Sequence, residues 1–193
     1  MLSILAGVVI GIGAIINLNV GDIAGAIFFA IGLLAVLTFK LELFTGKAGL
    51  LATNEITGRK LLKIWIGNFI GAGGLALLYS TTLTPSTEAA IAKATSIVAL
   101  RLANGPLANC VYGILCGVLM FIAVNGYKET KNPIIPVMGV AGFILGGFNH
   151  CVADMFYVSL GLMNLSDLWV LIPTTLGNLI GCCLIPAGIR YYY

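Results

Sequence analysis

Long apolar runs constrain this chain more than any other feature it has. Residues 2–18, 23–54, 60–80, 107–126, 134–162 and 168–189 are dominated by aliphatic side chains and glycine. A helix needs roughly 20 mostly apolar residues to cross a bilayer, so 193 residues leave room for six such spans with short connections. With 60% hydrophobic and 9% charged residues and a mean hydropathy of +1.07, the chain reads as an all-α integral membrane protein with the lipid bilayer as its solvent. The 25 glycines suit helices that approach one another closely in lipid. A net charge of +3 without a basic cluster gives nucleic acid nothing to bind. Residues 2–18 read as a first span and not as a cleavable signal, since neither a basic leader segment nor a small-residue cleavage site flanks them.

Within this apolar background a pattern occurs twice. Leu43-Phe44-Thr45-Gly46 is followed by Gly67-Asn68-Phe69-Ile70-Gly71, and His150-Cys151-Val152-Ala153-Asp154 is followed by Gly177-Asn178-Leu179-Ile180-Gly181. The two Gly-Asn-x-Ile-Gly copies lie 110 positions apart. Gly7 and Gly11 find partners at Gly113 and Gly117, and Glu42 aligns with His150. The expectation is one domain, residues 1–193, of six transmembrane helices in two inverted three-helix repeats, about 1–80 and about 107–193. Spans two and five are then broken, near 42–46 and 148–151, as in aquaporin-like architectures. Such proteins place their substrate path between the repeats, near the midplane, where helices are interrupted. The polar segment 81–106 should leave the membrane, with a short surface helix starting at Thr84-Pro85.

Arg59, Lys60, Lys63, Lys128, Lys131 and Arg190 fall on one side of this arrangement, and Lys93 and Arg101 on the other. By the positive-inside rule both termini are cytoplasmic.

Lys40, Glu42, His150 and Asp154 lie inside the spans, where ionisable groups are costly and face a partner or a cavity. One reading is an ion pair of Lys40 with Glu42 or Asp154 that ties helices together; the other is a polar site along a path. His150, the only histidine, stands at a break, and that position favours function over core filling. A half-helix starting at a break directs free N–H groups and a positive dipole end at the centre, attracting anions. Thr45 adds a hydroxyl there. Asn68 and Asn178 either brace the freed backbone of the breaks or touch substrate. Cys110, Cys116, Cys151, Cys182 and Cys183 form no C-x-x-C pair, and one histidine completes no Cys/His metal set. They read as buried thiols, and neither metal nor cofactor is expected.

These motifs together resemble the formate/nitrite transporter family. Glu42-Leu43-Phe44-Thr45-Gly46 is similar to its second-span motif, Phe148-Asn149-His150-Cys151-Val152-Ala153-Asp154-Met155 to its fifth, Gly177–Gly181 to its sixth, and Gly113-Ile114-Leu115-Cys116 to the start of its fourth. The resemblance implies a homopentamer in the cell membrane, each subunit with its own pore, and no enzymatic activity. It implies a central site of His150, Thr45 and Asn178, joined here by Glu42 and Asn68. It implies apolar constrictions above and below the histidine from Phe29, Leu33, Leu43 and Phe143, with Phe29 and Phe143 at the two ends of the path. It also implies anion attraction by Arg101, where the family has a lysine, aided by Lys40. Asp154 departs from the family's asparagine, and Lys40 from its small residue; no match to the family's amphipathic N-terminal helix is found in these residues.

The expected function is therefore passage of small monovalent anions and protons, or of the conjugate weak acids, in the class of formate, nitrite and hydrosulfide. Apolar rings exclude larger solutes, and a proton from or through His150 spares the cost of a dehydrated anion. A neutral-solute pore of aquaporin type is the alternative, weakened by the absence of paired Asn-Pro-Ala motifs. A thiol or quinone oxidoreductase would need a redox cysteine pair or a ligand cluster.

Overall fold

The computed structural model describes residues 1–161 and 164–192, with side chains through residue 189. The expected end of the fifth span at 162 and the side chain of Arg190 lie outside the described residues. Among the described residues eight α-helices follow one another: α1 Leu2–Val20, α2 Asp22–Thr38, α3 Phe44–Ala48, α4 Gly58–Ser80, α5 Pro85–Thr130, α6 Ile134–Leu145, α7 Cys151–Gly161 and α8 Leu171–Tyr192. Among the described residues four stretches are long and apolar enough to cross a membrane: Leu2–Val20, Gly58–Ser80, Pro85–Thr130 and Leu165–Ile189.

The other apolar helices are short because the chain breaks them, slightly earlier than expected, at 39–43 and 146–150. Both breaks close in the same way. Leu41 N–H reaches the Val36 carbonyl (2.9 Å) and Phe148 N–H reaches the Phe143 carbonyl (2.8 Å), the six-to-one bond of a helix terminus that ends in a left-handed residue. That residue is Lys40 (φ 54) in the first break and Gly147 (φ 68) in the second. Lysine tolerates this conformation at some cost, and the turn carries its side chain out to an exposed position. The breaks thus match at an offset of 107, which pairs Leu43 with His150 and Glu42 with Asn149. The expected pairing of Glu42 with His150 is one residue out of register.

Packing corrects a second register. A Cβ on Gly71 would fall on the Ile4 carbonyl oxygen, and one on Gly181 would fall on that of Ile114. Gly7 meets the Asn68 carbonyl as Gly117 meets that of Asn178. Each of these pairs is separated by 110 positions, so Gly7 corresponds to Gly117 and Ser3 to Gly113, not Gly7 to Gly113. Backbones of α1 and α4, and of α5 and α8, touch where only hydrogen fills the gap, which is how helices gain dispersion contact in lipid. The short helices cross over: α7 packs on α4, and α3 on α8. Trp65 on α4 donates its indole N–H to Thr175 Oγ1 on α8 at 3.0 Å, and these two positions are also 110 apart.

The segment 81–106 differs from expectation. Thr84 caps α5, its hydroxyl accepting from Thr87 N–H (3.3 Å), with Pro85 in the first turn, a favourable helix start. The helix then runs on through 104, with Ala90, Ala94, Val98 and Arg101 buried along one face. Gly105 (φ 73, ψ 174) turns the chain before 106–130 continues the helix. It is longer than the short surface helix expected and buries one face against the rest of the fold.

Candidate functional site

Each break leaves the first N–H groups of a half-helix without intrahelical partners, and an asparagine takes the leading one in both cases. Asn68 Oδ1 accepts from Phe44 N–H (2.8 Å), while Nδ2 donates to the carbonyls of Ser3 (2.7 Å) and Glu42 (2.9 Å). Asn178 Oδ1 accepts from Cys151 N–H (2.8 Å), while Nδ2 donates to Gly113 and Asn149, both at 2.8 Å. Both asparagines are fully buried and three-fold bonded to backbone. In this geometry they brace the breaks; their amides have no donor to spare for a solute.

The second break carries His150 into the centre. Its Nδ1 accepts from Ala153 N–H at 3.2 Å. In the neutral ring the proton then resides on Nε2, which stands 2.9 Å from Thr45 Oγ1 on α3 and donates to it. Phe143 stacks on the imidazole (centroids 5.3 Å apart, 18° between planes), and Phe29 meets Phe143 edge-on at 5.9 Å. His150 and Thr45 are each 2% exposed, Phe29 1%, Phe143 3%, and Leu33 and Leu43 fully buried. Phe29 and Phe143 therefore touch within one layer on one side of the histidine, instead of closing opposite ends.

Two cavities flank this layer. One, of about 220 Å³, lies by the C-terminal end of α1, where His150, Phe143, Arg101, Asp154, Tyr157 and Asn17 line it. The other, of about 330 Å³, lies by the C-terminal end of α2, where Leu43 forms its floor and Lys40, Lys47, Lys128 and Lys131 surround it. His150 lines the first and Leu43, two residues from Thr45, lines the second, so the Thr45–His150 contact lies between them. A third cavity of about 140 Å³ reaches Thr45 between Gly49, Phe121 and Asn125.

The charges sort differently from expectation. Glu42 turns away from the centre and pairs with Lys60 (3.8 Å), and Asp154 pairs with Arg101 (3.7 Å); Lys40 takes neither carboxylate. Glu42 thus reaches the breaks through its carbonyl, not its side chain. Arg101 is nearly buried, 8% exposed. It lies one turn before the kink at Gly105, and Asn109 Nδ2, from beyond the kink, donates to its carbonyl at 2.7 Å. Asn109 in turn holds Asn149 (3.0 Å). Asn109 and Lys47 were not anticipated, although Gly105-Pro106 is a legible break signal that points to both the kink and its need for a side-chain partner. Among the described residues no cluster of histidine, cysteine and carboxylate side chains is placed to hold a metal.

The fold defines an all-helical integral membrane protein with a buried polar centre between two cavities. The chain belongs to the formate/nitrite transporter family, whose model matches residues 1–193. Among relatives, the formate channel FocA of Haemophilus influenzae is 28% identical over 82% of this chain and 69% of its own length. The nitrite transporter NirC of Salmonella typhimurium is 27% identical over 99% of this chain and 81% of its own. Among solved structures, an FNT family ion channel superposes with a TM-score of 0.85 at 24% identity, covering 98% of this chain and 87% of that one. A pentameric formate channel with formate bound gives 0.80 at 23%, covering 100% and 94%. These likenesses place the fold in that family of channels.

Proposed function

We propose that this chain is a channel subunit of the cell membrane that passes small monovalent anions as their conjugate weak acids. The substrate class is that of formate, nitrite and hydrosulfide. In this reading the chain crosses the bilayer six times as two inverted three-helix repeats, about 1–80 and 107–193, with both termini cytoplasmic, and five copies assemble with a pore in each. The matched hydrogen bonds of Asn68 and Asn178 and the matched glycine contacts support the repeat. Exposed Phe28, Ile66, Leu77, Leu78 and Leu184 supply apolar surface for lipid and for neighbouring copies, and the relatives named for formate and nitrite support the substrate class.

The single observation that carries the mechanism is the layer of Phe29, Phe143, His150 and Thr45 between two cavities, each with positive side chains. Arg101 on one side and Lys40, Lys47, Lys128 and Lys131 on the other raise the local anion concentration. Phe29, Leu33 and Phe143 on one side of the histidine, and Leu43 on the other, exclude water and bulky solutes. A bare anion there would carry a prohibitive desolvation cost, so it crosses as the acid, with the Nε2 proton of His150 and the Thr45 hydroxyl as its polar contacts. Glu42, Asn68 and Asn178 act by holding the two breaks in place.

A liposome flux panel of formate, nitrite, hydrosulfide, lactate and glycerol tests this. Rapid movement of the first three and exclusion of lactate and glycerol is expected. Glycerol flux without anion flux would establish the neutral-solute pore instead. Native mass spectrometry in mild detergent should give five copies; a stable monomer would overturn the assembly.

A further inference from the structure

One buried group in the α1-end cavity has no task in the mechanism above. Asp154 is 2% exposed, lies in α7 one turn beyond His150, and lines the same cavity as His150, Phe143 and Arg101. Its Oδ2 and the Nε of Arg101 have no hydrogen-bond partner, although both are buried. At 3.7 Å the pair attracts by charge without the short contact, about 2.7–2.9 Å, of a charge-assisted hydrogen bond. The guanidinium is steadied from the other side by Nη1, which donates to the Gly147 carbonyl at 3.3 Å. Arg101 and Asp154 thus line one small cavity beside the constriction, and each keeps an orphaned polar atom of opposite charge just behind its wall. Unsatisfied buried groups of this kind are costly and mark a place where a ligand completes the bonding.

We propose that Arg101 and Asp154 form a protonation site for the permeant anion, in which Arg101 holds the anion and Asp154 gives it the proton with which it passes His150. The inference rests on the channel reading above and names the source of its proton. The step balances as follows. A proton from the α1 side adds to Asp154 Oδ2 and neutralises the carboxylate, freeing Arg101 from its resident counter-ion. The anion then pairs with Arg101. The O–H bond of Asp154 breaks, the proton joins the anion to give the neutral acid, and the carboxylate returns to Arg101. One proton and one anion leave as one neutral acid, and no net charge crosses.

The groups around Asp154 leave it as the donor. Arg101 and Cys116 face it from α5, His150 and Cys151 from the break and the first turn of α7, Tyr157 from the next turn, and Thr174 from α8. Arg101 is permanently protonated, and ordinary thiols and phenols hold their protons at neutral pH. His150 already commits Nδ1 to Ala153 and Nε2 to Thr45. Asp154 Oδ2 and Asn149 Oδ1 are buried acceptors without a hydrogen-bond partner, and of the two only the carboxylate takes up and releases a proton near neutral pH.

The test is formate uptake into proteoliposomes under a clamped membrane potential, with an internal pH dye. For the parent the expected result is one proton per formate, no dependence on potential, and a fall of about tenfold per pH unit once the single proton site is titrated. Asp154→Asn, assembled as the parent is, should lose the pH slope and at least tenfold of the low-pH flux, any residual movement carrying current. Asp154→Glu should keep the slope. Asp154→Asn with the parent's slope and electroneutrality overturns the proposal. If that variant does not assemble, infrared difference spectroscopy of the parent decides: adding formate at fixed pH should perturb a protonated-carboxyl stretch, and no change overturns it. Electrogenic, pH-flat formate flux through the parent would overturn this site together with passage as the acid, leaving a channel for the bare anion. No flux of any small anion at any pH would overturn the site and the channel alike.

Discussion

Replacing Asn178 by alanine removes three bonds at once: the acceptor for Cys151 N–H and the donors to the carbonyls of Gly113 and Asn149. Three backbone groups are then stranded in a fully buried position. In a water-soluble protein each would cost about 1–3 kcal/mol. In a bilayer the unfolded helices also find partners, and measured interhelical bonds contribute about 0.6 kcal/mol each, up to about 1.7. The three together give about 2–5 kcal/mol, enough to shift an unfolding equilibrium by more than tenfold. SDS titration of detergent-solubilised protein, followed by circular dichroism, reads this directly. Asn68→Ala removes the matching set at Phe44, Ser3 and Glu42 and should cost the same within about 1 kcal/mol. Stability unchanged in either variant would refute the bracing role. A large loss in one and none in the other would refute the equivalence of the two breaks.

Other outcomes follow from the same geometry. His150→Asn should assemble as the parent does, since an amide oxygen can accept from Ala153 N–H, yet lose most anion flux; parental rate and pH profile in that variant would show His150 to be a core residue. Gly181→Ala sets a methyl onto the Ile114 carbonyl and should cost about 1–3 kcal/mol by overpacking, seen as a lower SDS midpoint; an unshifted midpoint would mean that α5 and α8 separate freely. Phe143→Ala removes a ring that contacts both Phe29 and His150, and lactate flux should rise against formate while protein abundance largely holds. Unchanged selectivity would place the constriction elsewhere.

Residue order alone determined a good deal of this protein. Runs of aliphatic residues specify helices in lipid because every backbone group must then be satisfied within its own segment, so the apolar helices, the places where the chain leaves helix and the repeated Gly-Asn-x-Ile-Gly were legible. The family motifs were legible for the same reason, being contiguous. Tertiary structure decided whatever depends on partners far apart in the chain. Arg101 and not Lys40 pairs with Asp154, because α5 brings it to the α1-end cavity, whereas the left-handed turn at Lys40 delivers that lysine to the other. Phe29 and Phe143 share a layer because α2 and α6 pack side by side, a contact no local pattern encodes. The offset of 110 between the Gly-Asn-x-Ile-Gly copies was legible, but the pairing of Gly7 with Gly117 and the offset of 107 at the breaks emerged only from which backbone groups meet. Helix formation is a local agreement between neighbouring residues; the site is an agreement between helices, and close packing settles it to the single residue.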